Sequence, residues 1–96
     1  TFVVGTHTHV PTNDGRVLSK GTAYLTDAGM CGDYNSVIGM NTENSISRFY
    51  KRDSIKHFPA EGEASLCGAI IEANPKNGLA TNISQFIFGG QLQKDN

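Results

Sequence analysis

The chain has 96 residues, a formal net charge of −1, 38% hydrophobic residues and 18% charged residues. These values are typical of a single soluble globular domain near the low end of ordinary domain size. The basic residues around Lys51 and Arg52 are too sparse to indicate a nucleic-acid groove. We also expect no membrane partner and no signal peptide, because no apolar run is long enough to cross a bilayer.

The start of the chain predicts a strand followed by a candidate metal site. The apolar run Phe2–Val4 predicts a short buried strand that ends at Gly5, and His7 and His9 follow with one residue between them. In an extended segment residues i and i+2 point to the same side, so both imidazoles can reach one site beyond a strand end. Imidazole is the commonest metal ligand, and strand ends often hold ligands. The alternative is that the pair belongs to a polar loop or strand face.

Two histidines do not complete a metal site, because zinc, manganese or iron needs further ligands. Asp14, Asp27 and Asp33 lie in loops that follow, and none is assigned as a ligand. Asp27 comes directly after a second predicted strand over residues 22–26. We consider two roles for it, a hydrogen bond that orients a histidine and a structural cap or turn role.

The loop over residues 27–33 is rich in glycine and includes one of the two cysteines. Cys31 and Cys67 form no C-x-x-C motif, and we expect both to be buried, reduced thiols. A disulfide and a role for Cys31 as third metal ligand are the alternatives. The side chains of Thr6 and Thr8, which flank the histidines, are expected to face the sheet.

The middle of the chain predicts one helix over residues 41–52. Asn41 suits the N-cap, and Ile46, Phe49 and Tyr50 share one helix face at spacing i, i+3, i+4. His57, which follows the helix, is expected to be a surface residue rather than a ligand.

The last third predicts a β-hairpin. Its arms are expected over residues 65–73 and 79–88, around a turn at residues 74–78 that contains Asn77 and Gly78. A polar tail follows.

Four segments carry a resemblance to a known family: GTHTHV at residues 5–10, GTAYLTDAGM at 21–30, Gly32, and SVIG at 36–39. Together they resemble the C-terminal part of the YmdB-like metallophosphoesterases, bacterial cytoplasmic proteins of the calcineurin-like phosphoesterase superfamily. The predicted elements give an α+β chain, mostly β with one helix and a C-terminal hairpin, and the resemblance agrees with this. It implies the C-terminal fragment of a four-layer α/β/β/α metallophosphoesterase fold, with residues 1–90 as one segment and 91–96 as a polar tail.

The resemblance also implies a function. Members of the family are two-metal phosphodiesterases that hydrolyse 2′,3′-cyclic nucleotides or related phosphodiesters, and their final G-x-H-x-H motif gives one histidine to each metal. His7 would therefore bind one ion and His9 the other. Manganese or iron, as divalent or trivalent ions, suits a site of imidazole and carboxylate ligands.

The remaining family ligands, and the histidine that protonates the leaving group, come from segments that precede this motif. We therefore expect no catalytic acid or base in this chain. We expect the missing N-terminal part of the same protein to complete the site, and the chain alone to be inactive.

A second hypothesis is a non-catalytic, β-rich association module. Without its partners, Phe2–Val4 would be an unpaired apolar edge, and such edges pair with other chains. This hypothesis predicts a homo-oligomer, either a dimer or a strand-exchanged assembly, formed through the N-terminal strand.

Overall fold

The computed structural model describes residues 1–51 and 58–92, with the backbone alone for residues 47–51. Its elements in chain order are β1 (Phe2–Val4), β2 (Arg16–Val17), β3 (Ala23–Leu25), α1 (Thr42–Lys51), β4 (Leu66–Ala73), β5 (Ala80–Phe88) and a 3₁₀ helix (Gly90–Leu92). The structure is mostly β with one short helix, as predicted. In the described ranges no helix is long and apolar enough to cross a membrane.

The first sheet has the spatial order β1-β3-β2. β1 is parallel to β3, with Phe2 opposite Ala23 and Val4 opposite Leu25. β2 is antiparallel to β3, with Val17 opposite Ala23. β3 is therefore the central strand, and its Ala23 and Leu25 are completely buried.

β4 and β5 form the predicted C-terminal hairpin. They pair antiparallel from Leu66 opposite Phe88 to Ala73 opposite Ala80. The turn between them is closed by the Gly78 N–H, which donates to the Asn74 carbonyl at 2.8 Å. Gly78 has a φ of +72°, a value that glycine adopts without steric cost.

The hairpin packs against the first sheet through β5. The Ala80 N–H donates to the Gly21 carbonyl at 2.7 Å, and Gln85 Nε2 donates to the Thr12 carbonyl at 2.8 Å. The apolar core of the described residues is small and consists of Ala23, Leu25, Cys67 and Ala80.

Two features of the first sheet differ from the prediction. Phe2–Val4 is a strand, but the expected burial is wrong, since Phe2 is 57% exposed and Val3 is 56% exposed. The reason is that β1 lies at the edge of its sheet. β2 was not predicted, because two residues are too few to show an alternating pattern. It pairs with β3 because the chain reverses at Gly21, whose φ is +85°.

The helix begins where the sequence predicts. Asn41 is the N-cap, since its Oδ1 accepts a hydrogen bond from the Asn44 N–H at 2.9 Å. Ile46 is 49% exposed, so the predicted apolar face is open to solvent at that residue. The other predictions for this stretch concern side chains outside the described residues, those of Phe49, Tyr50, Arg52 and His57.

Gly5 provides a test of the β1–β3 pairing. Its N–H donates to the Leu25 carbonyl at 3.1 Å, and a Cβ at this position would overlap the carbonyl oxygen of Thr26. Gly5→Ala is therefore expected to lower the free energy of unfolding by about 1–3 kcal/mol, measured by urea denaturation. The control is Gly15→Ala, whose Cβ would make only ordinary contacts at 3.8 and 3.9 Å. Equal losses in the two variants would contradict the prediction.

Candidate functional site

The candidate site lies where two parallel strands end. Because β1 and β3 are parallel neighbours, the loops that follow them leave the sheet at the same end, beyond the carboxyl ends of both strands. The Ala28 N–H donates to the Gly5 carbonyl at 2.9 Å, and the Thr12 N–H donates to the Asp27 carbonyl at 3.0 Å. The loop that carries His7 and His9 is thus hydrogen-bonded to the loop after β3.

Asp27 is the buried polar centre of these loops, with 1% of its surface exposed. Its Oδ2 accepts hydrogen bonds from the Thr8 N–H and the Thr8 hydroxyl, both at 2.7 Å. Its Oδ1 accepts from the Gly29 N–H at 2.8 Å, which is the geometry of a local Asx turn. The predicted turn role is therefore present, and the carboxylate also reaches the segment between the histidines through Thr8.

These hydrogen bonds decide the charge of Asp27. Burial raises its pKa, but the hydrogen bonds from the Thr8 hydroxyl and from the Gly29 and Thr8 amides outweigh this effect. The pKa of the carboxyl is lowered below its usual value of 3.8, with a smaller contribution from nearby His9. A buried carboxylate with three donors is stable in its ionised form.

His9 is held by a backbone carbonyl. Its Nδ1 lies 2.8 Å from the Ile38 carbonyl oxygen. A carbonyl only accepts hydrogen bonds, so this contact is a hydrogen bond when Nδ1 carries the hydrogen, and in that tautomer the lone pair lies on Nε2. Among the described residues, His9 and Ile38 are the two non-glycine residues with positive φ, at 65° and 46°.

His7 is exposed, and no described group hydrogen-bonds to its ring. The extended conformation expected around the histidines is not formed, because residues 7–10 make a bend and His9 has a positive φ. The Thr8 hydroxyl closes this bend by accepting from the Val10 N–H at 3.2 Å. The two rings are therefore placed by loop contacts rather than by strand alternation.

The other two aspartates are engaged elsewhere. Asp14 accepts from the Thr12 hydroxyl at 2.6 Å, and this bond and one from the Thr26 hydroxyl lower the pKa of Asp14 to about 2. Asp33 accepts from the Gly62 N–H at 3.0 Å. Within the described residues, no group of three or more His, Cys, Asp or Glu side chains could hold a metal ion. Asp14 and Asp33 therefore do not complete a metal site with His7 and His9 in the described part of the chain.

The cysteines differ in exposure. Cys67 is buried as predicted, but Cys31 is exposed, so its expected burial is wrong. Cys31 lies at the surface just before Gly32, which forms an isolated bridge with Ser65. The Cys31 thiol donates to the Cys67 carbonyl at 3.3 Å, and both thiols are free.

The role of Ile38 could not be predicted from the sequence. Its contribution is a main-chain carbonyl, which carries no residue-type signal. The two-residue turn that presents this carbonyl is usually marked by Asn-Gly, whereas this chain has Ile38-Gly39.

A family model for YmdB-like proteins matches residues 1–86. The chain belongs to the YmdB-like family. It is 44% identical over 86 residues to the 2′,3′-cyclic-nucleotide 2′-phosphodiesterase of Bacillus subtilis (strain 168), a match that covers 90% of this chain and 33% of that protein.

Two crystal structures share the fold of this YmdB-like chain, each with 37% identity and with 93% of this chain covered. One is a hypothetical protein from Thermus thermophilus, with a TM-score of 0.82 and 34% of that chain covered. The other is a novel phosphatase from Mycoplasma pneumoniae, with a TM-score of 0.83 and 32% of that chain covered. The chain spans about a third of the length of these relatives, and the family resemblance seen in the sequence is confirmed.

The buried Asp27 generates a pH-dependent prediction. Asp27→Asn is expected to lower the free energy of unfolding at neutral pH by about 1–3 kcal/mol, because an amide NH₂ in place of one carboxylate oxygen cannot accept hydrogen bonds. A lowered folded pKa means that the stabilisation is present above the unfolded value and is lost as pH falls through the folded value. The difference between wild type and variant should therefore be constant above about pH 5 and shrink as pH falls below it, measured by urea denaturation at about pH 6 and about pH 3.

The control for this experiment is Glu72→Gln, at an exposed residue of β4. We expect it to change the free energy of unfolding by less than about 0.5 kcal/mol at either pH. A wild-type-to-Asp27→Asn difference that stays constant across the pH range would contradict the assignment.

Proposed function

We propose that this chain forms the C-terminal third of a two-metal phosphodiesterase that hydrolyses 2′,3′-cyclic nucleotides or related phosphodiesters. In this proposal His7 and His9 each contribute one ligand. The observation that carries it is the His9 ring at the ends of two parallel strands, held by the contact of Nδ1 with the Ile38 carbonyl and with no partner on Nε2 among the described residues. The 44% identity to a relative named for this reaction supports the substrate class.

We propose that an N-terminal part of the same protein completes the site. The described residues supply no cluster of three metal-binding side chains. They also leave fifteen large apolar residues exposed against four buried apolar ones. Exposed apolar surface on this scale is typical of a surface that another segment covers. The chain alone is therefore expected to be inactive.

The cofactors in this proposal are two transition-metal ions, manganese or iron. The two imidazoles of this chain fit iron and several other divalent metals, whereas manganese would also need carboxylate ligands from the rest of the protein. When bound, such a metal pair would lower the pKa of coordinated water and neutralise charge on the phosphoryl oxygens of the substrate. We place the enzyme in the cytoplasm, as the family resemblance implies.

The residues of this chain would orient the ligands. Ionised Asp27 fixes the main chain at Thr8, between the two histidines. The Ile38 carbonyl fixes the ring of His9. Together these contacts prepare the histidine loop before a metal or substrate arrives, which lowers the cost of ordering it on binding.

A second function is supported by a separate observation. β1 is an edge strand whose Phe2 and Val3 are more than half exposed. Edge strands with unpaired main-chain groups and apolar side chains add strands from other chains. We therefore propose, as the alternative, a non-catalytic β-rich module that forms homo-oligomers through β1.

The phosphodiesterase proposal is tested with the chain alone and with the chain extended by the segment that precedes it in the Bacillus subtilis relative. We expect Mn²⁺-dependent hydrolysis of a 2′,3′-cyclic nucleotide by the extended protein only. His7→Ala and His9→Ala are each expected to lower kcat/KM more than about 100-fold, since losing a group that merely orients a metal ligand already costs about 10–100-fold. Product chromatography with and without a chelator gives the rates.

The control is His57→Ala, the third histidine of the chain, which we expect to leave kcat/KM unchanged. Turnover by the 96-residue chain alone would contradict the claim that ligands outside it are required. Full activity of the extended His9→Ala variant would remove His9 from the ligand set.

The association hypothesis makes a different prediction. Size-exclusion chromatography with light scattering is expected to show a dimer or larger species of the 96-residue chain at high concentration. Val3→Lys should shift it to a monomer, because a charge on an edge strand opposes pairing. Val10→Lys, at an exposed loop residue, should leave the oligomer intact. A wild-type chain that stays monomeric at high concentration would exclude association through β1.

A further inference from the structure

The segment Val37 to Met40 is a tight two-residue turn. The Val37 N–H donates to the Met40 carbonyl at 3.0 Å, and the Met40 N–H donates to the Val37 carbonyl at 2.9 Å. The central residues Ile38 and Gly39 have φ values of 46° and 94°. Positive φ at both central residues is the pattern of a type I′ turn.

Ile38 is an unexpected residue for this turn. Type I′ turns favour Asn-Gly, and a positive φ is a genuine outlier for a β-branched side chain. The side chain of Ile38 is 60% exposed, so its own packing does not compensate for the conformation. Such backbone strain persists where the surrounding structure imposes it, and it is concentrated at functional sites.

Contacts on both sides impose this conformation. The Gly39 N–H donates to the Ser36 hydroxyl at 2.9 Å, and that hydroxyl donates to the Asp33 carbonyl. On the other side, the Ala60 N–H donates to the Gly39 carbonyl at 2.9 Å. The turn is therefore anchored at its own ends and against a separate segment of the chain.

The carbonyls of Val37 and Gly39 accept hydrogen bonds from main-chain N–H groups. The carbonyl of Ile38, between them, accepts the hydrogen bond from His9 Nδ1 at 2.8 Å. This bond joins the two non-glycine residues that have positive φ in the described part of the chain. The positive φ of His9 and the positive φ of Ile38 therefore occur in the two residues that form one hydrogen bond, and His9 is the candidate ligand.

We propose that Ile38 is a positioning residue whose carbonyl holds the His9 ring with its hydrogen on Nδ1, so that Nε2 is the metal-binding atom. This inference rests on the proposed role of His9 as a ligand. Histidines that bind metals donate their other ring N–H to a partner that sets tautomer and ring orientation. A main-chain carbonyl is a permanent acceptor, since it neither ionises nor changes rotamer.

The tautomer is measured directly by ¹⁵N NMR of the histidine side chains in the metal-free 96-residue chain. The measurement is made at alkaline pH, where free imidazole is neutral. We expect the His9 Nδ1 resonance in the range of a protonated nitrogen and the Nε2 resonance in the range of an unprotonated one. His7, whose ring has no described partner, serves as the internal reference for an unconstrained ring.

Three substitutions at position 38 distinguish a role of the backbone conformation from a role of the isoleucine side chain. Proline fixes φ near about −65°, so Ile38→Pro is expected to abolish the turn and shift the His9 resonances towards those of His7. Asparagine and glycine adopt positive φ readily, so Ile38→Asn and Ile38→Gly are expected to keep the wild-type pattern. If the isoleucine side chain acted only by packing, all three variants would shift the His9 resonances to a similar extent, because all three remove that side chain.

A Mn²⁺ titration of the extended protein gives the second readout. Ile38→Pro is expected to weaken Mn²⁺ binding about 10–100-fold, and Ile38→Asn is expected to match the wild type. Equal Mn²⁺ affinity of the folded proline variant and the wild type would overturn the positioning role.

The NMR result is independent of the enzymatic proposal. A wild-type His9 with its hydrogen on Nε2 overturns the inference even if the extended protein is active. A fixed Nδ1–H tautomer supports it even if cyclic nucleotides are not hydrolysed, in which case only the proposed function fails. If Ile38→Pro does not fold, the wild-type tautomer and its retention in Ile38→Asn decide the question.

Discussion

The candidate site depends on the parallel pairing of β1 with β3. The loops that follow two parallel neighbours lie at the same end of the sheet, whereas the loops that follow an antiparallel pair lie at opposite ends. The pairing continues past the strands, because the Gly5 N–H bonds to the Leu25 carbonyl and the Ala28 N–H bonds to the Gly5 carbonyl. A glycine is needed there, since any side chain would meet the Thr26 carbonyl.

The groups whose burial or backbone conformation is unfavourable lie in the loops at this end of the sheet. A carboxylate is buried at Asp27, and positive φ values occur at His9 and Ile38. Each would be unfavourable alone, and each is compensated by hydrogen bonds to another member of the same loops. A fold that places its strained and desolvated groups together in this way is typical of a binding or catalytic region.

The elements with strong local signals could be predicted from sequence. Asn77-Gly78 marked the position of the hairpin turn, and Asn41 marked the start of α1. Burial of Phe2–Val4 could not be predicted, because an apolar run is typical of a central strand and of an edge strand alike. The exposure of Cys31 could not be predicted either, because free cysteine is among the residue types most often buried.

The site itself was only partly predictable. The identity of His7 and His9 as candidate ligands follows from their types and spacing, and the turn role of Asp27 follows from its place after a strand. Their geometry does not, because it depends on contacts between residues far apart in the chain. Asp27 reaches Thr8 across 19 positions and His9 reaches Ile38 across 29. Long-range contacts of this kind are set by tertiary structure and not by local pattern.

The acceptor of the His9 hydrogen bond belongs to the main chain, and this has a consequence for the variation that the site tolerates. Every amino acid carries the same carbonyl, so no substitution at position 38 deletes the acceptor itself. What a substitution changes is the ease with which the residue adopts a positive φ. A change of residue type at position 38 therefore leaves the acceptor in place for as long as the backbone keeps this conformation.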